Sequence, residues 1–190
     1  MLPVLHELSI KPETPKKPLE TELMESSRDL LLPKMAKTGR EYMIAYDVAG
    51  KKVLQKAGGK KSIGFTDVQA DKLKETYFFH SHPNGSSFSP GDVSVAARLN
   101  LKSMNAVHGK YSYKIKPKKG LNWSSVKNPN TEYLILKDKL HDSGQVIYED
   151  LIKNGMEWRE ASKKAWMLQS HRIIRELARK FNLSYTRTAI

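Results

Sequence analysis

Two spacings of apolar residues divide this chain. Between residues 41 and 116 apolar positions come in short runs rich in strand formers, and from Tyr148 onward they recur at helical intervals. Glu41-Tyr-Met-Ile-Ala-Tyr-Asp47 reads as a strand, and Val48 to Lys52, with Gly50, turns it back into a second strand around Val53 and Leu54. Ser62 to Phe65 predicts a further short strand. Thr66-Asp67 marks a helix start, carrying Val68 and Leu73, and Tyr77 to His80 is the next strand. At Ser89-Pro90-Gly91-Asp92 a second helix opens, with serine as N-cap, proline in the first turn and a carboxylate three residues after the cap. It is expected to run through Val95, Ala96 and Leu99. Ala106-Val107 and Tyr111 to Lys116 read as strands, and residues 117–131, with Pro117, Gly120, Asn128 and Pro129, as loop.

The two ends differ from this middle. Pro3, Pro12, Pro15 and Pro18, interspersed with Lys and Glu, predict an extended arm over residues 1 to about 20, followed by a short helix from Glu20 to Met35 that ends near Pro33. At the other end Trp166, Ile173 and Leu177 share a stripe flanked by Met167, Ile174, Ala178 and Phe181, while Arg159, Lys163, Arg175 and Arg179 lie opposite. Gly155 divides this region into two helices, and Trp158 and Trp166 are expected to pack inside. The fold class that follows is α/β (α+β): an arm and short helix over residues 1–38, then one domain over residues 39–190 with a long C-terminal helical segment.

Hydrophobic content of 39% supplies a core, and 33 Lys and Arg against 20 Asp and Glu give a net charge of +13. That balance suits an acidic protein partner or nucleic acid, or equally a solvated basic surface. Lys110, Lys114 and Lys116 beside Tyr111 and Tyr113 pose the same choice locally; an edge strand with tyrosines in the core and lysines against aggregation is favoured over a nucleic-acid face. No apolar run reaches the length of a membrane span. The first residues lack the basic start and apolar block of a secretory signal, which leaves a cytoplasmic protein or one delivered without a classical signal. With no cysteine, disulfides and thiolate metal sites are excluded, and any metal must use His, Asp or Glu.

His80-Ser81-His82-Pro83 meets that requirement. Histidines one residue apart on a strand face the same way, and Asp92, ten residues after His82, can supply a third ligand. Two imidazoles and a carboxylate are a donor set for a catalytic zinc with an open position. Glu41 is the best upstream carboxylate to act as general base; Glu75, nearer in sequence, falls at a helix end. Ser89 can donate to the oxyanion of a tetrahedral intermediate, although Ser89 with Asp92 is also simply a capping box. His6, His108, His141 and His171 lack paired spacing and stay outside the site, and Lys51, Lys52, Lys60 and Lys61 read as solvated turn lysines.

The set Glu41, His80-Ser81-His82-Pro83 and Ser89-Pro90-Gly91-Asp92 resembles the JAMM (MPN or JAB-like) metalloprotease family, over roughly residues 40–186. The interval Asn84 to Phe88 is one residue shorter than that family's usual spacing and looks like the variant of bacterial, phage-associated and polymorphic-toxin JAMM domains. The resemblance implies a twisted central sheet flanked by helices and a Zn2+ ion on His80, His82 and Asp92. It further implies Glu41 as base, Ser89 as oxyanion donor, and hydrolysis of peptide or isopeptide bonds in a protein or peptide substrate. Two other classes remain open: a nucleic-acid-binding or DNA-acting module on the same fold, and a phage or secretion structural protein whose metal site is not catalytic.

Overall fold

The computed structural model describes residues 17–60 and 62–190, so most of the expected arm, with His6, and Lys61 lie outside the described residues. In chain order the elements are α1 (Leu19–Thr38), β1 (Tyr42–Tyr46), β2 (Lys52–Ala57), α2 (Asp67–Leu73), β3 (Tyr77–Ser81), α3 (Pro90–Arg98), β4 (Ser103–His108) and β5 (Tyr111–Pro117). A short 3-10 turn (Trp123–Ser125) then leads to α4 (Pro129–Lys139), α5 (His141–Lys153), α6 (Trp158–Lys180) and β6 (Leu183–Ala189). The architecture is mixed α/β, as expected.

One sheet carries six strands in the order β2-β1-β3-β4-β5-β6. Every neighbouring pair is antiparallel except β3 and β4. Parallel neighbours need a crossover, and α3 provides it. The carboxyl end of β3, where the chain leaves the sheet for α3, is the kind of place where α/β sheets bind ligands.

Both faces of the sheet are covered, which is why its central strands read as continuous apolar runs. Met43, Phe78, Met104, Ala106, Tyr113 and Ile115 face Val93, Ala96, Tyr133, Ile173 and Leu177 of α3, α4 and α6. The alternate residues Ile44, Tyr46, Phe79 and Val107 meet Leu23 and Leu31 of α1. Residues 19–38 therefore form one layer of the fold. α1 continues through Pro33 to Thr38, past the expected stop. Its buried residues Leu23, Ser27, Leu31 and Met35 recur every fourth position and face the sheet. The three apolar ones contribute about 1.5–3 kcal/mol each, together more than the ~3 kcal/mol a proline costs inside a helix.

Other expectations are corrected. Ser62 to Phe65 is not a strand; Ile63 and Phe65 instead pack against the core from an irregular segment. The predicted loop ends at Asn128, because Pro129 starts α4, a helix whose one buried residue is Tyr133 and whose sequence carries little apolar periodicity. The chain does break at Gly155, where φ is 83°. The C-terminal helix stops at Lys180, and the last residues form β6 along β5. β5 is consequently interior, not an edge. Its lysines face α1, where Lys114 and Lys116 reach Glu20 at 3.4 and 3.0 Å. Trp158 and Trp166, expected inside, are 58% and 39% exposed. Among the described residues no helix is long and apolar enough to cross a membrane.

Candidate metal centre

β3 delivers both histidines on one face of the sheet. His80 lies on the strand, and His82 extends its pairing with β4 by donating its backbone N–H to Val107 O at 3.0 Å. Both are buried, 2% and 6% exposed. Their Nε2 atoms are 2.7 Å apart. Asp92, in the first turn of α3, brings Oδ1 to 3.7 Å from His80 Nε2 and Oδ2 to 3.7 Å from His82 Nε2. One ligand atom from each residue lies within 4.8 Å of the others, so this group can hold a metal ion.

The protonation pattern fits a cation. His82 Nδ1 lies 2.9 Å from Ser86 O, and a carbonyl only accepts, so Nδ1 is the donor there and Nε2 is the nitrogen turned toward His80 and Asp92. Burial, together with His82, pushes His80 down to about 4 against the opposing pull of Asp92 and the Asn105 backbone; its ring is neutral at pH 7, as a ligand must be. Two imidazole nitrogens this close need a proton or a cation between them. His80 Nδ1 is buried and makes no hydrogen bond among the described residues, although the nearby Asn105 backbone favours its protonated form.

Asp92 has a second task. Ser89 accepts from Asp92 N at 3.2 Å and donates its own N–H to Asp92 Oδ2 at 2.7 Å, the reciprocal capping box that starts α3. Ser89 Oγ–H is also given to Asp92 Oδ2, at 2.8 Å. The cap and the candidate ligand are thus the same residue, and helix geometry aims it. Burial would raise the Asp92 pKa, but the two histidines and the Ser89 hydrogen bonds outweigh it and hold the carboxyl below its ordinary range.

Glu41 precedes β1, and its backbone is tied to the 58–59 turn through Glu41 N–H to Gly59 O and Gly58 N–H to Glu41 O. Met43 pairs with His80 in the antiparallel register of β1 and β3. Continuing that register by two residues sets Glu41 across from His82. Its carboxyl is raised above the usual range by partial burial and by Asp92, with His82 opposing. Glu75, the rival carboxylate, sits after α2 with φ 57° and bonds Asn100 on the surface, away from the histidines.

The loop between Pro83 and Ser89 is clamped from below. Gly85, at φ 71°, lies against the His108 ring, which an added Cβ would meet at 2.9 Å, so only glycine fits. Tyr113 Oη donates to Gly85 O at 3.1 Å, and Ser87 N–H donates to Ser170 Oγ at 3.2 Å. Ser87 Oγ and Tyr185 Oη are 2.7 Å apart, and Tyr185 Oη is 2.8 Å from His171 Nδ1. Burial and the neighbouring Arg187, Arg175 and Arg172 lower His171 to about 4. These supports fix the Ser86 carbonyl that orients His82. Sequence spacing gave no sign of them, since Ser87 and Tyr185 are 98 positions apart.

All five expected site residues, Glu41, His80, His82, Ser89 and Asp92, line one cavity of about 630 Å3. Its remaining wall is mostly apolar, with Ile63, Phe65, Phe78, Val95, Met104, Tyr133 and Trp166. Comparisons of the chain with protein-family models, with curated proteins and with solved structures find no match.

Proposed function

We propose that this protein is a zinc-dependent hydrolase of peptide or isopeptide bonds, with His80, His82 and Asp92 holding the ion and Glu41 acting as base. The observation that carries this reading is the convergence of the His-His-Asp group and a proton-hungry carboxylate on one cavity at the carboxyl end of β3. The donor set, two imidazoles and one carboxylate without thiolate, suits zinc with an open position. Zinc bound there supplies Lewis acidity, polarising a carbonyl and acidifying water.

The chain's own residues supply the rest. Hydrolysis forms a C–O bond and breaks the C–N bond, so a proton from water must end on the leaving nitrogen. Glu41 is the residue to carry it at its Oε atoms, and partial burial and Asp92, with His82 opposing, raise its pKa above the ordinary carboxylate range, which makes it a stronger base. Ser89 aims Asp92 in the resting arrangement; donating to an oxyanion requires its Oγ–H to turn away from Asp92 Oδ2. The resemblance to JAMM metalloproteases supports the same assignment. A basic nucleic-acid face on β5 is disfavoured, because Lys114 and Lys116 point at α1 and share the single carboxylate of Glu20.

The test is turnover of a panel of peptides and isopeptide-linked conjugates by protein with and without zinc. Zinc-dependent cleavage that disappears in Glu41→Gln, with zinc still bound, is the expected result. Undiminished cleavage by Glu41→Gln removes Glu41 from the chemistry, and no cleavage of any substrate by the zinc-loaded protein counts against the hydrolase.

A further inference from the structure

Trp166 is out of place by packing criteria. It shares a helical stripe with Ile173 and Leu177, both fully buried, yet it is 39% exposed on α6. One side of its indole faces the metal cavity, and Lys137 Nζ lies 5.9 Å from the ring centroid. Tyr133 of α4, Phe65 and Ile63 of the segment before α2, and Val95 of α3 complete an apolar wall around the same space. A tryptophan that leaves this much apolar ring uncovered beside a buried polar cluster has room for a partner. With about 630 Å3 in all, the cavity has space for a large side chain together with the backbone that carries it.

We infer that the cleft is a side-chain specificity pocket: it selects a substrate with an aromatic or large aliphatic residue beside the scissile amide, and Trp166 is the residue that grips it. This rests on the hydrolase reading above, and it narrows the substrate class from any peptide bond to one flanked by a bulky apolar side chain. Three features favour that occupant. The pocket opens from the same wall as His80, His82 and Asp92, so a group filling it is held next to the donor atoms. Val95, Tyr133, Trp166, Ile63 and Phe65 give the pocket a hydrocarbon and aromatic side that rewards apolar surface, while Lys60, Ser62, Asn84 and Ser170 are polar groups on the same cavity. Trp166 lines the cavity and is 39% exposed, so it has apolar surface that a ligand there would cover.

Hydroxamates separate this inference from the reading beneath it, because the hydroxamate group addresses the metal and the tail addresses the pocket. Zinc-loaded protein is titrated calorimetrically with acetohydroxamic acid and with 3-phenylpropionohydroxamic acid, following Trp fluorescence in parallel. The expected result is binding of both, with the phenyl compound at least tenfold tighter, and loss of that advantage in Trp166→Ala while acetohydroxamate affinity is unchanged. Because Trp166 is not part of the packed core, the variant is expected to fold; Trp166→Phe, which keeps an aromatic wall, should retain most of the preference. Equal affinity for the two compounds, or a phenyl advantage that survives in Trp166→Ala, overturns the pocket assignment and leaves the metal centre standing. Failure of both compounds to bind zinc-loaded protein overturns the hydrolase reading itself, and the pocket assignment with it.

Discussion

Asp92 both caps α3 and faces the two histidines, and Asp92→Asn separates those tasks. Asparagine keeps an oxygen to accept from Ser89 N–H, so the helix start survives, but it loses the charge that a cation needs. In the metal-free protein the cost is the charge assistance of the Ser89 bonds at 2.7 and 2.8 Å, about 1 kcal/mol net. For a chain of this size that corresponds to a fall in Tm of roughly 2–4 °C. With zinc the variants diverge. Free zinc at about a hundredfold above Kd stabilises the wild type by about 2.7 kcal/mol, or roughly 5–11 °C. If losing the carboxylate weakens binding about a hundredfold, the same zinc concentration stabilises the variant by only about 0.4 kcal/mol, a rise of about 1–2 °C. Differential scanning fluorimetry at fixed free zinc, with and without chelator, reads both numbers. A zinc-dependent rise in Asp92→Asn equal to that of the wild type refutes Asp92 as a ligand.

Tyr185→Phe removes the hydroxyl that meets Ser87 Oγ and His171 Nδ1 beneath the loop. Competition with a chromogenic chelator should show zinc affinity about 10–100-fold weaker, and an unchanged Kd would show that loop support does not reach His82. Acidification should destabilise the metal-free protein between about pH 6.5 and 4. His80 and His171 have depressed folded pKa values of about 4; in that window the unfolded chain takes up protons that the folded chain refuses, and stability falls with pH. For the fully buried His80 the loss is about 3 kcal/mol. Urea midpoints at pH 7 and pH 4.5 check the sign, and an equal or higher midpoint at pH 4.5 contradicts it.

Much of the site was legible because its signals are local. The same-face spacing of His80 and His82, the Ser89 cap and the position of Asp92 each depend on a few neighbouring residues, and the structure reproduces them. The β1–β2 hairpin and the break at Gly155 were legible for the same reason. What escaped depends on distant partners. β6 looks like the tail of a helix until β5 pairs with it. Pro33 looks like a stop until the sheet gives α1 something to bury against. Ser170, His171 and Tyr185 carry no sign of the loop between Pro83 and Ser89, since only the packing of α6 and β6 against it brings them there. Trp166 misled in the opposite sense. Its helical phase matches buried neighbours, but it lies where the core gives way to the cavity.

The most direct measurement is anomalous diffraction at the zinc edge from crystals of zinc-loaded protein. The metal assignment predicts one strong peak within bonding distance of His80 Nε2, His82 Nε2 and an Asp92 oxygen, with Glu41 facing the open side. No peak among these three side chains, or a peak elsewhere with this cluster empty, contradicts it.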